Sequence, residues 1–222
     1  MKNNPVFNVI DIETWPRKFY FEHYYHHVKC TRSITVNIDI QLLLNVCKKK
    51  SVKLYPAMIY MITTAVNQID ELRTVYNEKG QLGQWDFMSP SYTVFHPEDK
   101  TFSNIWTPYD KDFSVFYHHY LDDIKKYGNV KDFMAKGNEP GNTFPVSCNP
   151  WVEFTGFNLN IYDRPDYLCP IFTFGKYHQQ DNKMVIPIAA QLHHATSDGY
   201  HVGLLFDAIK KLALTAEEWI DV

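Results

Sequence analysis

The residues best equipped for chemistry sit in one short stretch, Gln191-Leu192-His193-His194-Ala195-Thr196-Ser197-Asp198-Gly199-Tyr200-His201. It holds two adjacent imidazoles and a carboxylate four residues after the second. An imidazole titrates near neutrality, so either ring, uncharged, has the basicity of a general base that takes the proton of a reacting hydroxyl. Such a base activates the acceptor directly and needs no nucleophilic Ser or Cys. Its other nitrogen then requires a fixed partner. In a chain with ten histidines, an adjacent pair is otherwise an ordinary hydrogen-bonded feature. Asp198 admits two readings, a dyad with the histidine or an ion pair that holds the segment together.

The elements around this stretch must position it. An apolar run over 184–190 leads in and an amphipathic segment over 202–214 leads out, which predicts strand, polar junction and helix. Gly199 is expected to give the turn its permissive backbone. Upstream, hydrophobic periodicity predicts helices over 11–29, 41–49, 57–68 and 112–127. Thr14 is the expected cap of the first and Asp39 of the second. Strands are predicted over 33–38, 72–76, 83–87, 91–95, 101–106, 152–160, 171–177 and 184–190, with a hairpin turn at Asp181-Asn182 and a loop over 136–142. The interspersed order predicts an α/β fold, a two-layer sandwich with a mixed β-sheet and helices packed on a face.

Composition narrows the function. The net charge is −3 and no basic block exceeds Lys48-Lys49-Lys50, which argues against a nucleic-acid partner. A hydrophobic share of 45% over 222 residues supports a sizeable core in one domain, 1–222. Fifteen Tyr, fifteen Phe and five Trp predict aromatic walls. Cys30, Cys47, Cys148 and Cys169 lack CxxC spacing and read as reduced thiols. With no signal-like start and no apolar run near ~20 residues, the expectation is a soluble cytoplasmic protein without a membrane span. His23, His26, His27, His118 and His119 raise the question of a metal, but no cysteine or carboxylate spacing supports one.

The pattern His193-His194-X-X-X-Asp198-Gly199 resembles the signature of the chloramphenicol acetyltransferases and of their relatives, the acyltransferase cores of 2-oxoacid dehydrogenases. The resemblance runs along the chain and is closest to the trimeric chloramphenicol acetyltransferases. It implies a CoA-dependent acyltransferase-like fold and acetyl-CoA as co-substrate. It also implies chloramphenicol as the small-molecule alcohol that accepts the acetyl group, and a homotrimer with its sites between subunits. It places the general base on His194, leaves His193 structural, and pairs Asp198 with Arg17 of Trp15-Pro16-Arg17. Ser147, in Val146-Ser147-Cys148-Asn149-Pro150-Trp151, matches the serine that donates to the oxyanion. Thr173 matches a threonine that orders the intermediate through water. Without the family, Ser147 reads as a turn residue, Thr173 as a strand residue and Arg17 as a solvated charge. Lys53 and Lys176 match lysines near the cofactor, with Tyr177 available to stack on adenine. Tyr24, Phe102, Ser103, Phe133, Met134 and Leu159 match the acceptor pocket.

Thr196-Ser197 in place of the frequent Val-Cys is a mild change inside the signature, and three further residues depart from the pattern around the acceptor. Arg32 stands where the family usually has an aromatic, Asn104 replaces a small residue, and Pro145 replaces Asn. A guanidinium lining an apolar pocket is costly unless paired. The departures therefore leave a second acceptor class open, another hydroxylated small molecule. A non-catalytic module that sequesters a drug or acyl thioester is the more distant alternative. The absence of a lipoyl domain and of an Ala/Pro-rich linker argues against a lipoyl-linked core.

Overall fold

Residues 183–193 form the long strand on which the main sheet is ordered. The computed structural model describes residues 4–164 and 166–222. In chain order the elements are β1 (Phe7–Val9), α1 (Lys18–Glu22) running into a π-helical turn (His23–His27), β2 (Thr31–Asp39), α2 (Gln41–Lys49), α3 (Leu54–Asn67), a 3₁₀ turn (Asp70–Arg73), β3 (Thr74–Tyr76), β4 (Leu82–Trp85) and β5 (Ser89–His96). Then follow β6 (Thr101–Trp106), α4 (Phe113–Tyr127), β7 (Thr143–Cys148), β8 (Ile171–Phe174), β9 (His178–Gln180), β10 (Lys183–His193), α5 (Gly199–Leu214) and α6 (Ala216–Trp219).

The main sheet runs β2-β10-β8-β7-β5-β6, with β9 pairing β10. The β5–β7 and β7–β8 pairs are parallel and the others antiparallel, so the α/β sheet is mixed. A separate antiparallel sheet, β1-β4-β3, gathers strands that the sequence does not assign to a second layer. The Asp181-Asn182 hairpin forms as expected, with φ of 47° and 64°, which matches the right-handed twist of its strands.

Alternation along the strands sorts the side chains. Phe144 and Val146 of β7, Phe172 and Phe174 of β8, and Ile186, Ile188 and Ala190 of β10 face a core shared with Met58, Ile62, Leu205 and Ile209 of the helices. Full burial of each such large side chain contributes about 1.5–3 kcal/mol. The same alternation turns Pro145, Ser147 and Thr173 to the other face. Among the described residues no helix is long and apolar enough to cross a membrane.

Several elements differ from expectation. The 11–29 helix is only α1 plus the π turn; Thr14 Oγ1 bonds Asp11 instead of capping a helix. Asp39 accepts from the Gln41 N–H at 3.0 Å, but the cap position of α2 is Ile40, one residue on, and no side chain caps there. Residues 152–160 form no strand, because β8 is already paired on both sides, by β7 and β10. Conversely β7 is an interior strand that contains Pro145, a residue that normally signals an edge. Gly199 is not needed for a positive φ, and a Cβ there would meet nothing within 4 Å. Gly175 is one of the glycines that close packing demands, since its Cβ would lie 2.8 Å from Val152 O and from Pro187 Cγ.

Candidate active site

The stretch after β10 is a tight turn that closes on itself. Thr196 and Ser197 N–H both reach His193 O, at 3.2 and 3.3 Å, and the Thr196 hydroxyl joins them at 3.1 Å. Asp198 then caps α5 by accepting from Tyr200 N–H at 3.0 Å, and its other oxygen takes Arg17 Nη1 at 3.0 Å. Burial alone would raise the Asp198 pKa. The Arg17 hydrogen bond, His201 and the Tyr200 N–H together bring it below the ordinary 3.8.

The two histidines have different surroundings. His193 is buried, and its Nδ1 accepts from Ala195 N–H at 3.1 Å. Burial, reinforced by the neighbouring His194, pushes its pKa down to about 4, so it stays uncharged. His194 is half-buried, with Nδ1 3.2 Å from Ser197 O. A carbonyl only accepts, so Nδ1 of neutral His194 carries the proton and the Nε2 lone pair is left free. The Tyr24 ring lies flat on this imidazole, 3.7 Å away and 6° from parallel. The π turn supplies that ring, an irregularity of the kind common at functional sites.

Ser147 and Thr173 face each other across the parallel β7–β8 pair, with hydroxyls 2.8 Å apart. Cys148, next in sequence, is pushed up to about 12 by burial and remains a thiol. Leu159 hangs over this face, its N–H held by Gln191 Oε1 at 2.8 Å. It lines a small cleft with Thr173, Ala189 and Gln191.

These two groups do not meet within one chain. Ala189 lies opposite Thr173, and His194 stands five residues further along. At ~3.3 Å per residue that is roughly 16 Å along the strand, several times the reach of an imidazole.

The remaining predicted residues fall in separate places. Phe102 and Phe133 are exposed neighbours with ring centroids 6.0 Å apart, and Met134 is exposed beside them. The 133–135 segment is tied to β6 by Asn104 N–H to Phe133 O at 2.6 Å and Ala135 N–H to Asn104 O at 3.1 Å. Ser103 is not on that wall: it is fully buried on the face opposite Phe102, 3.0 Å from His96 Nε2. Lys53, Lys176 and Tyr177 are exposed. Tyr55, two residues after Lys53, packs on Phe174, two residues before Lys176, with ring centroids 5.7 Å apart.

The departures from the family pattern also find their places. Arg32 Nη2 donates to Ser197 O at 2.5 Å, and Asn104 Nδ2 turns to Ser91 Oγ at 2.5 Å. Pro145 stays on the Ser147 face. Sequence reasoning missed a cavity of about 420 Å³ walled by Ile161, Tyr162, Tyr167 and Ile171 against Thr31 and His193. The run of aromatics from Phe154 to Tyr167 is the signal that could have found it. Also missed is the exposed Trp151, edge-on to Phe95 with centroids 4.9 Å apart. Among the described residues no three His, Cys, Asp or Glu gather as metal ligands.

A family model described as chloramphenicol acetyltransferase matches residues 5–210. A chloramphenicol acetyltransferase of Clostridium perfringens is 56% identical over 214 residues, 96% of this chain and 98% of the relative. One of Clostridium butyricum is 56% identical over 97% of this chain and 98% of its own length. A solved structure of a chloramphenicol acetyltransferase matches with a TM-score of 0.87 at 24% identity, over 94% of this chain and 100% of that one, a likeness of fold. The chain belongs to the chloramphenicol acetyltransferase family and is an acyltransferase.

Proposed function

We propose that this chain moves the acetyl group of acetyl-CoA onto a hydroxyl of chloramphenicol, inactivating the antibiotic, in a ternary complex. The observation that carries the reading is the Ser197 carbonyl at His194 Nδ1, which leaves Nε2 as a base aimed away from its own turn. The acceptor O–H gives its proton to Nε2 as the oxygen attacks the thioester carbon. Negative charge collects on the former carbonyl oxygen, where the Ser147 hydroxyl donates, a contribution of about 3 kcal/mol. Thr173 orders that intermediate through water. The carbonyl then re-forms, the C–S bond breaks, and the thiolate leaves with the proton from the imidazolium. The raised pKa of Cys148 speaks against an acyl-cysteine route.

Lys53 and Lys176 would hold the phosphates of the co-substrate, with Tyr177 on the adenine. Tyr24, Phe102, Phe133, Met134 and Leu159 would face the acceptor. Because base and hydroxyl pair lie so far apart along the sheet, each site would take His194 from one subunit and Ser147 from the next. The assembly would be a homotrimer of single-domain chains spanning 1–222. Four free cysteines fit a reducing cytoplasm.

Steady-state acetyl transfer to chloramphenicol, followed by thiol release, tests the reading; no turnover with folded protein overturns it. The shared site has its own test. Co-expressed His194→Ala and Ser147→Ala chains should recover about a quarter of wild-type activity, since random mixing leaves that share of sites intact. No recovery rejects the shared site. A second acceptor keeps one structural argument, Pro145 on the Ser147 face, now that Arg32 and Asn104 are bonded elsewhere. A panel of alcohols with acetyl-CoA separates the two: turnover on others and none on chloramphenicol selects the second.

A further inference from the structure

Arg32 has no part in the chemistry described above, yet it touches the group that holds the base. It rises from β2 opposite Leu192, and its Nη2 bonds the same Ser197 oxygen that faces His194 Nδ1. A peptide carbonyl has two lone pairs, and here each meets one donor. With donor distances of 2.5 and 3.2 Å to one atom, guanidinium and imidazole are within about 6 Å of each other. The placement is costly: Nε is buried without a partner, and burial lowers the arginine's own pKa against the pull of Asp198. An aromatic side chain, which the family resemblance leads one to expect here, would avoid both costs.

The geometry points to Arg32 as a positioning residue for the general base, one that pins the Ser197 carbonyl toward His194 Nδ1. This rests on His194 being the base. The other groups around the ring do not duplicate the effect. Tyr24 covers one face, Cys30 gives its carbonyl to the His194 N–H, and His193 is uncharged. Arg17 and Asp198, at the far end of the turn, answer each other's charge, and His201 bonds the second Asp198 oxygen and approaches Glu71. Arg32 is the side chain that shares the Ser197 carbonyl with the imidazole.

The test compares Arg32→Gln, Arg32→Tyr and Arg32→Lys with His194→Ala in the full-length protein. Removing the guanidinium should lower kcat by about tenfold and leave the KM for acetyl-CoA within about twofold. Arg32→Lys should restore most of kcat. Arg32→Tyr removes the same donor with a ring of the expected family type and decides the matter if the Gln variant does not fold. An unchanged kcat in either neutral variant overturns the proposal, as does a loss confined to acceptor KM. If His194→Ala keeps full activity, it is the reading of the base that fails.

Discussion

The turn at 194–198 and the hydroxyl pair on β7 and β8 hold their groups by different means. The turn is dense with charged and polar contacts: Arg17 on Asp198, Arg32 on Ser197 O, and a histidine that accepts from the N-terminal N–H of the following helix. The hydroxyl pair has no ionised partner in contact, only strand register and the core beneath it. A base must be neutral, in one tautomer and aimed, and each requirement calls for a specific polar contact. A neutral donor to an oxyanion needs only position, which rigid strands supply.

Four measurements would break or sharpen that contrast. His194→Ala should cost the most, about 10⁴-fold in kcat, because the proton transfer itself is lost. Ser147→Ala should cost about 10²-fold with KM nearly unchanged, as expected of a donor acting only in the transition state. Equal losses would undo the assignment of separate roles.

The third measurement is acid lability. His193 folds with its pKa lowered from 6.5 to about 4, so between those values the unfolded chain binds more protons. Its contribution is complete above pH 6.5 and is lost as pH falls toward 4, a loss of roughly 3 kcal/mol. Asp198 adds a second loss only below 3.8, as pH drops through its lowered value. Hydrogen exchange at pH 5 should therefore loosen 193–201 before 143–148 and 171–174, where no group is ionised. Loosening in the reverse order would contradict the contrast, and His193→Gln should flatten the Tm profile. The smallest effect is Gly199→Ala, expected to shift stability by no more than about +0.5 kcal/mol in thermal melts, since the added Cβ has open space at the start of a helix.

Legibility in the sequence followed the same division. The apolar run, the paired histidines and the helix after Asp198 could be read directly, because local periodicity and capping chemistry specify them. The Asp181-Asn182 turn was equally plain. β7 was hidden by Pro145, and residues 152–160 had a strand-like composition but no free strand to pair with. Ser103 and Phe102 are adjacent in sequence yet face opposite ways, a distinction that depends on which face of β6 the helices cover.

The order of residues was enough to offer an imidazole pair as a candidate base, since that basicity belongs to the side chain itself, whereas Ser147 stood out only through the family resemblance. It was enough, too, to draw the strand and helix on either side of His194, because those follow from local pattern. Distance was not written there. Folding alone laid Tyr24 on the imidazole and turned Arg32 onto Ser197. It also left Ser147 about five strand residues from His194, because long-range pairing sets which side chains share a place.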